Sequence, residues 1–216
     1  HTDPATLLDY LGFRLLGYEW TGNPEVAHVI WNIRFPRMVA ALLVGGALSV
    51  AGAAYQSLFR NPLVSPDVLG ASSGAGFGAA LAIVLGLGPT GLQGVAFLFG
   101  LLAVLGAWGV SRMTRRDQVL ALVLGGIIVS ALFSAGVSIL KYLADPDREL
   151  PAITFWLMGG LNGVRHADLP ALFAPILTCA IALWLLRWQL DAVTFGEETA
   201  KSLGTNVTWL RAGVIV

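Results

Sequence analysis

Few residues in this chain have the types and spacing that chemistry requires. Cys179 is the only cysteine and lies in an apolar run, so no intrachain disulfide can form and a small core residue is the expected role. No Cys/His cluster has metal-ligand spacing, and His28, His166 and the three methionines read as ordinary loop or interface residues. Gly74-Ala-Gly76-Phe-Gly78 has the composition of a phosphate-cradling loop. No strand precedes it, however, and no Gly-Lys-Ser/Thr occurs anywhere, so no Walker-type ATP site is expected. No nucleophile–base constellation is visible, and the chain is expected to perform no covalent chemistry. Three groups of polar residues remain. Gly126, Ser130, Ser134 and Ser138 recur every four residues and form one mildly polar helix face, which either packs on a neighbour or faces a water-filled route. Arg34 and Arg37 stand just ahead of a long uncharged run. Glu197 and Glu198 open a polar helix, where carboxylates complement the helix dipole.

The elements that position these residues follow from hydropathy. Of 216 residues, 56% are hydrophobic and 12% charged. Soluble domains carry about a quarter charged residues, so lipid is the expected solvent for most of the chain. The net charge of zero argues against nucleic acid as a partner. A crossing helix needs about 20 apolar residues. Uncharged stretches predict crossings at residues 38–59, 68–87, 92–110, 119–140 and 169–186, with a sixth beginning at 212–216. Residues 1–33 form a leading segment and 151–164 a short surface or re-entrant helix, while 187–211 is a polar region between crossings. The sequence opens at His1 and stops inside an apolar run, so both ends read as cut. Glycines at 70, 74 and 78, and Gly45 with Ser49, predict close helix packing. With residues 1–33 outside, inner loops hold seven Lys/Arg and outer loops six, a weak preference under the positive-inside rule. The five complete crossings contain no Asp, Glu, Lys, Arg or His. Ion-coupled secondary transporters usually place such residues in the membrane, so that class becomes the alternative, and energy is expected from a separate subunit.

Arg34-Phe-Pro-Arg37, Ala41-Leu-Leu-Val-Gly45, Ala51-Gly52-Ala-Ala-Tyr-Gln56-Ser-Leu-Phe-Arg-Asn61-Pro62-Leu63 and Leu69-Gly70-Ala-Ser-Ser-Gly74 follow one another in order. Phe155-Trp156-Leu-Met-Gly159-Gly160 and Gly196-Glu197-Glu198-Thr-Ala200-Lys-Ser-Leu203-Gly204 come later. This series resembles the FecCD-type permeases, the membrane subunits of ATP-driven importers for vitamin B12, ferric siderophores and haem. The resemblance covers nearly the whole chain from Trp31. It implies an all-α, polytopic transmembrane bundle in the bacterial cytoplasmic (inner) membrane, here a fragment of a ten-helix permease with both termini inside.

The resemblance also implies partners and roles. The partners are a second permease copy, two ATPase subunits that carry ATP and Mg, a periplasmic or lipoprotein substrate-binding protein, and membrane lipid. The chain itself would bind no cofactor. Arg34 and Arg37 match the external arginines that meet carboxylates of the binding protein, with an interfacial anchor pair as the plainer role. Asn61, Pro62 and Leu63 match part of the cytoplasmic gate, and Gln118 and Val119 fall where its other segment is expected. Gly196, Glu197, Glu198, Ala200, Leu203 and Gly204 match the coupling segment that sits in a groove of the ATPase.

Overall fold

The computed structural model describes Gly12 and residues 23–113 and 118–215. Among these residues the chain is all helical. Helix α1 (Pro24–Phe59) is followed by α2 (Ala71–Val84), α3 (Pro89–Arg112), α4 (Gln118–Leu143) and α5 (Glu149–Met158). A 3₁₀ turn at His166–Asp168 leads into α6 (Leu169–Leu185), and α7 (Arg187–Thr194), α8 (Glu197–Ser202) and α9 (Val207–Ile215) complete the order. Four of these helical stretches are long and apolar enough to cross a membrane: α1, α3, α4, and α6 with its preceding turn.

Helix begins at Pro24, within the expected leading segment 1–33, and is capped by the Asn23 side chain, which accepts from the Glu25 amide. The 187–211 region holds two short helices, and the last helix begins at Val207, five residues before the expected 212. The uncharged run at 68–87 gives only the 14-residue α2. At 1.5 Å per residue that is about 21 Å, against about 30 Å of hydrocarbon. Its start is fixed by Asp67, whose Oδ1 accepts from the Ser72 amide at 2.8 Å, and by Gly70, whose φ of 80° lies in the left-handed region. Its end is fixed by the Leu87 amide turning back to the Ala82 carbonyl.

The chain divides into two compact units. One comprises His1–Ser49 with Gly160–Ala182, the other Val50–Gly159 with Leu183–Val216. The second is built on α2, α3 and α4. A β-carbon on Gly78 would lie 2.6 Å from the Val95 carbonyl oxygen, and one on Gly74 would overlap that of Phe99, so α2 and α3 meet backbone to backbone. Such contact is how helices associate in lipid, where the hydrophobic effect offers little. Phe77, Phe99 and Phe133 fill the space among the three helices, with ring centroids 5.1–6.1 Å apart. Gly45 and Ser49 meet no such neighbour: nothing lies within 4 Å of a β-carbon on Gly45, and the Ser49 hydroxyl donates to the Gly45 carbonyl instead. Outward faces are strongly apolar, with Leu42 77% and Phe97 72% exposed. That is the inverse of a water-soluble surface.

Candidate functional site

The first unit carries the arginine pair. Helix α1 contains a π-helical turn at Ile30–Arg34, in which the Phe35 amide reaches the Ile30 carbonyl. Pro36 explains the turn. Proline has no N–H and its ring crowds the carbonyl four residues back, so the wider register relieves the clash. That register would pair the Trp31 carbonyl with residue 36, which has no proton to give. His166 supplies one, with Nε2 lying 2.6 Å from the Trp31 oxygen. Since a carbonyl only accepts, Nε2 carries the proton. The imidazole also stacks on Phe35, centroid separation 5.7 Å, and lies 5.1 Å from Trp31. On the next turn Arg37 donates through Nη2 to the Asn162 carbonyl at 2.7 Å, and Arg34, the last residue of the π-turn, is half-buried. The two arginines therefore sit on a backbone fixed at both His166 and Asn162.

The second unit carries the other sites. Helix α1 ends with Arg60 in the left-handed region, φ 50°. The Asn61 amide then reaches the Gln56 carbonyl and the Arg60 amide the Ser57 carbonyl, a Schellman closure with arginine at the usual glycine position. The Asn61 side chain accepts from the Leu63 amide at 2.9 Å, and Pro62 sits between them. Leu63 is thrown outward, 89% exposed. Val119 packs against the buried cluster that contains Leu58, Phe59 and Val64, so the two segments expected to form one gate do converge. Gln118 begins α4, and its side chain lies outside the described residues.

The two halves of the α4 stripe lie in different surroundings. Gly126 is buried: a β-carbon there would overlap the Val68 carbonyl oxygen, and one on Gly70 would overlap the Ser130 hydroxyl. These two positions pack on the turn that follows the 61–63 loop. Ser134, one turn on, is exposed and lines an open groove of about 300 Å³ with Ser72, Ser73, Gly76, Val137 and Leu157. Ser138 donates to the Ser134 carbonyl and is also exposed.

Helix α8 lies between Gly196 and Gly204, with φ of 121° and 83°. Ala200 is fully buried against Val193 and Val207. Glu197 turns inward and forms an ion pair with Arg211 on α9. The remaining α8 residues, Glu198, Thr199, Lys201 and Ser202, are all exposed, flanked by Phe195 at 79% and Leu203 at 51%. Sequence reasoning had no signal for Arg211, which lies fourteen residues from Glu197 and across a turn. Phe195, adjacent to the matched motif, was detectable only as an aromatic residue in a polar stretch. His166 was passed over because its partner is a backbone carbonyl, which leaves no mark in the sequence.

Residues 6–216 match the FecCD transport family. The molybdate import system permease protein of Haemophilus influenzae is 39% identical over 193 residues, 89% of this chain and 57% of that protein. The hemin transport system permease protein of Yersinia pestis is 37% identical over 212 residues, 91% of this chain and 60% of that protein. The cobalamin import system permease protein of Halobacterium salinarum is 35% identical over 188 residues, 86% and 50% respectively. The chain thus spans about half the length of the curated relatives it matches. A solved structure described as an inward-facing conformation of a transporter assigned to the metal-chelate ABC type superposes with TM-score 0.83 at 37% identity, covering 98% of this chain and 69% of that one.

Proposed function

Because this chain belongs to the FecCD transport family of multi-pass membrane permeases, we propose that it is the permease subunit of an ATP-driven importer in the cytoplasmic (inner) membrane. The observation that carries the proposal is helix α8. Its buried side is tied to α9 through Glu197 and Ala200, while its exposed side offers Phe195, Thr199 and Leu203 to a partner. Such a surface suits the groove of a separate ATPase subunit, which would bind the ATP and Mg. The spanning helices hold no Asp, Glu, Lys, Arg or His at 38–59, 89–111, 119–140 or 169–186, so they contain no titratable relay of their own.

In this reading two copies of the permease pair around a central route and work by alternating access. Closure of the ATPase pair pushes α8, and the helices tilt between states. The 61–63 loop with Gln118 and Val119 closes the inner end, and Ser134 and Ser138 offer hydroxyls toward the route. At the outer end Arg34 and Arg37 dock carboxylates of a substrate-binding protein; arginine keeps its charge and forks onto a carboxylate. The substrate class is a metal chelate, corrinoid or oxyanion: permeases for molybdate, iron chelate, cobalamin and hemin all lie among the relatives.

The test is ATP hydrolysis by the full-length permease with its ATPase and binding protein, reconstituted in liposomes. Haem, a ferric siderophore, cobalamin and molybdate are each supplied in turn. One of these should stimulate hydrolysis only when the binding protein and an intact α8 surface are both present. Stimulation that ignores Leu203→Glu and Phe195→Glu would overturn the reading.

A further inference from the structure

We infer that Arg211 is a positioning residue which, with Glu197, transmits the motion of α8 to the gate end of α1. This rests on the coupling reading above and extends it inward. Glu197 is the first residue of α8, and its side chain points away from the face offered to a partner. The paired Arg211 side chain is only 13% exposed and that of Glu197 35%. With the guanidinium largely buried, the pair is screened less than one between two fully exposed side chains, and the planar guanidinium fixes direction as well as distance.

Beyond Arg211 the connection is continuous. Ala200 of α8, Val207 and Leu210 of α9 and Ala54 of α1 share one buried cluster. Further along α9, Ile215 joins Leu58, Phe59 and Val64 in a second, and Val214 packs against both. Residues 61–63 lie between Phe59 and Val64, so the end of α9 grips the stem of the gate loop. Apolar packing alone lets α8 slide along α9, because dispersion contacts have little directionality. The ion pair removes that freedom at the start of α8.

Arg211 also lines a cavity with Leu58, Phe59 and Val119, which leaves room for the α1 end to shift. The guanidinium of Arg112 lines the same cavity and lies 4.0 Å over the Trp108 ring. Glu197 therefore holds one of two like charges in place.

The experiment uses the full-length complex in inside-out vesicles, with Leu63→Cys as reporter in a Cys179→Ser background. A membrane-impermeant maleimide reads its modification rate with and without Mg-ATP and vanadate. The unsubstituted pair should give a nucleotide-dependent change of about tenfold. Arg211→Gln and Glu197→Gln should each reduce that change below about twofold with the ATPase still bound and hydrolysing, the double variant should be no worse than either, and Arg211→Lys should recover most of it. If Arg211→Gln does not reach the membrane, Glu197→Gln on the more exposed partner reads the same link. A full-sized response in either Gln variant overturns the inference, as does additivity in the double variant or loss of response only with release of the ATPase. A parent complex without any nucleotide response overturns the coupling reading itself, which separates the two failures.

Discussion

Replacing Gly126 by alanine tests whether α4 seats on the turn after residues 61–63 as closely as described. A β-carbon there would overlap the Val68 carbonyl oxygen and lie 3.0 Å from the Leu69 α-carbon. These obstacles are backbone atoms, so no rotamer change relieves them. Overpacking costs about 1–3 kcal/mol, and a backbone obstacle places this site near the upper end. Alanine regains about 1 kcal/mol of helix propensity over glycine. The net loss is about 2 kcal/mol, which corresponds to about 4–8 °C in melting temperature for a chain of this size. Gly100→Ala is the matched control. Its β-carbon would meet the Ala71 carbonyl oxygen at 3.3 Å and Ala75 Cβ at 3.6 Å, a small adjustment, so the propensity gain should leave melting unchanged or slightly raised. Thermal unfolding of the detergent-solubilised protein, followed by circular dichroism, measures both. A Gly126→Ala melt within about 1 °C of the parent, or below which Gly100→Ala falls, would refute the packing argument.

Reversing charge with Arg34→Glu and Arg37→Glu should lower binding-protein affinity by at least about tenfold and flatten its salt dependence, measured by surface-bound permease in nanodiscs. Unchanged docking would remove the arginines from the account. His166→Leu should weaken the same docking about threefold to tenfold through the loosened π-turn, whereas His166→Gln, which can still donate to the Trp31 carbonyl, should stay near the parent; equal behaviour of the two would refute the role of that hydrogen bond. Asp67→Ala removes the acceptor for the Ser72 amide and should cost about 1 kcal/mol in the same melting assay, while Asp67→Asn should retain most of it.

The membrane-spanning character was legible because a charge inside hydrocarbon is costly, so its absence over 89–111 or 119–140 marks buried helix directly. Residue 71 as the start of α2 was less legible, since hydropathy runs smoothly from Val68 onward and the helix is set there by the Asp67 carboxylate turning back to Ser72 and by Gly70 in the left-handed region. The π-turn had a sequence cause in Pro36, but the consequence appears only in the register of the backbone around it. The candidate segments were visible as motifs, and the surfaces they present were not. Glu197 matched a partner-facing segment with a helix-dipole role as the plainer reading, and the ion pair with Arg211 on α9 turns it inward. Likewise the even spacing of Gly126, Ser130, Ser134 and Ser138 gave one face, whereas the turn at residues 68–70 covers only the first half of it.

The most direct measurement is the energy source of transport. Full-length permease, ATPase and binding protein are sealed in liposomes, and uptake of the stimulating substrate is followed with ATP present and with ionophores abolishing proton and sodium gradients. Accumulation should continue at the full rate under ionophores and stop when ATP is withdrawn or hydrolysis is blocked by vanadate. Uptake that survives without ATP and collapses with an ion gradient would contradict the account.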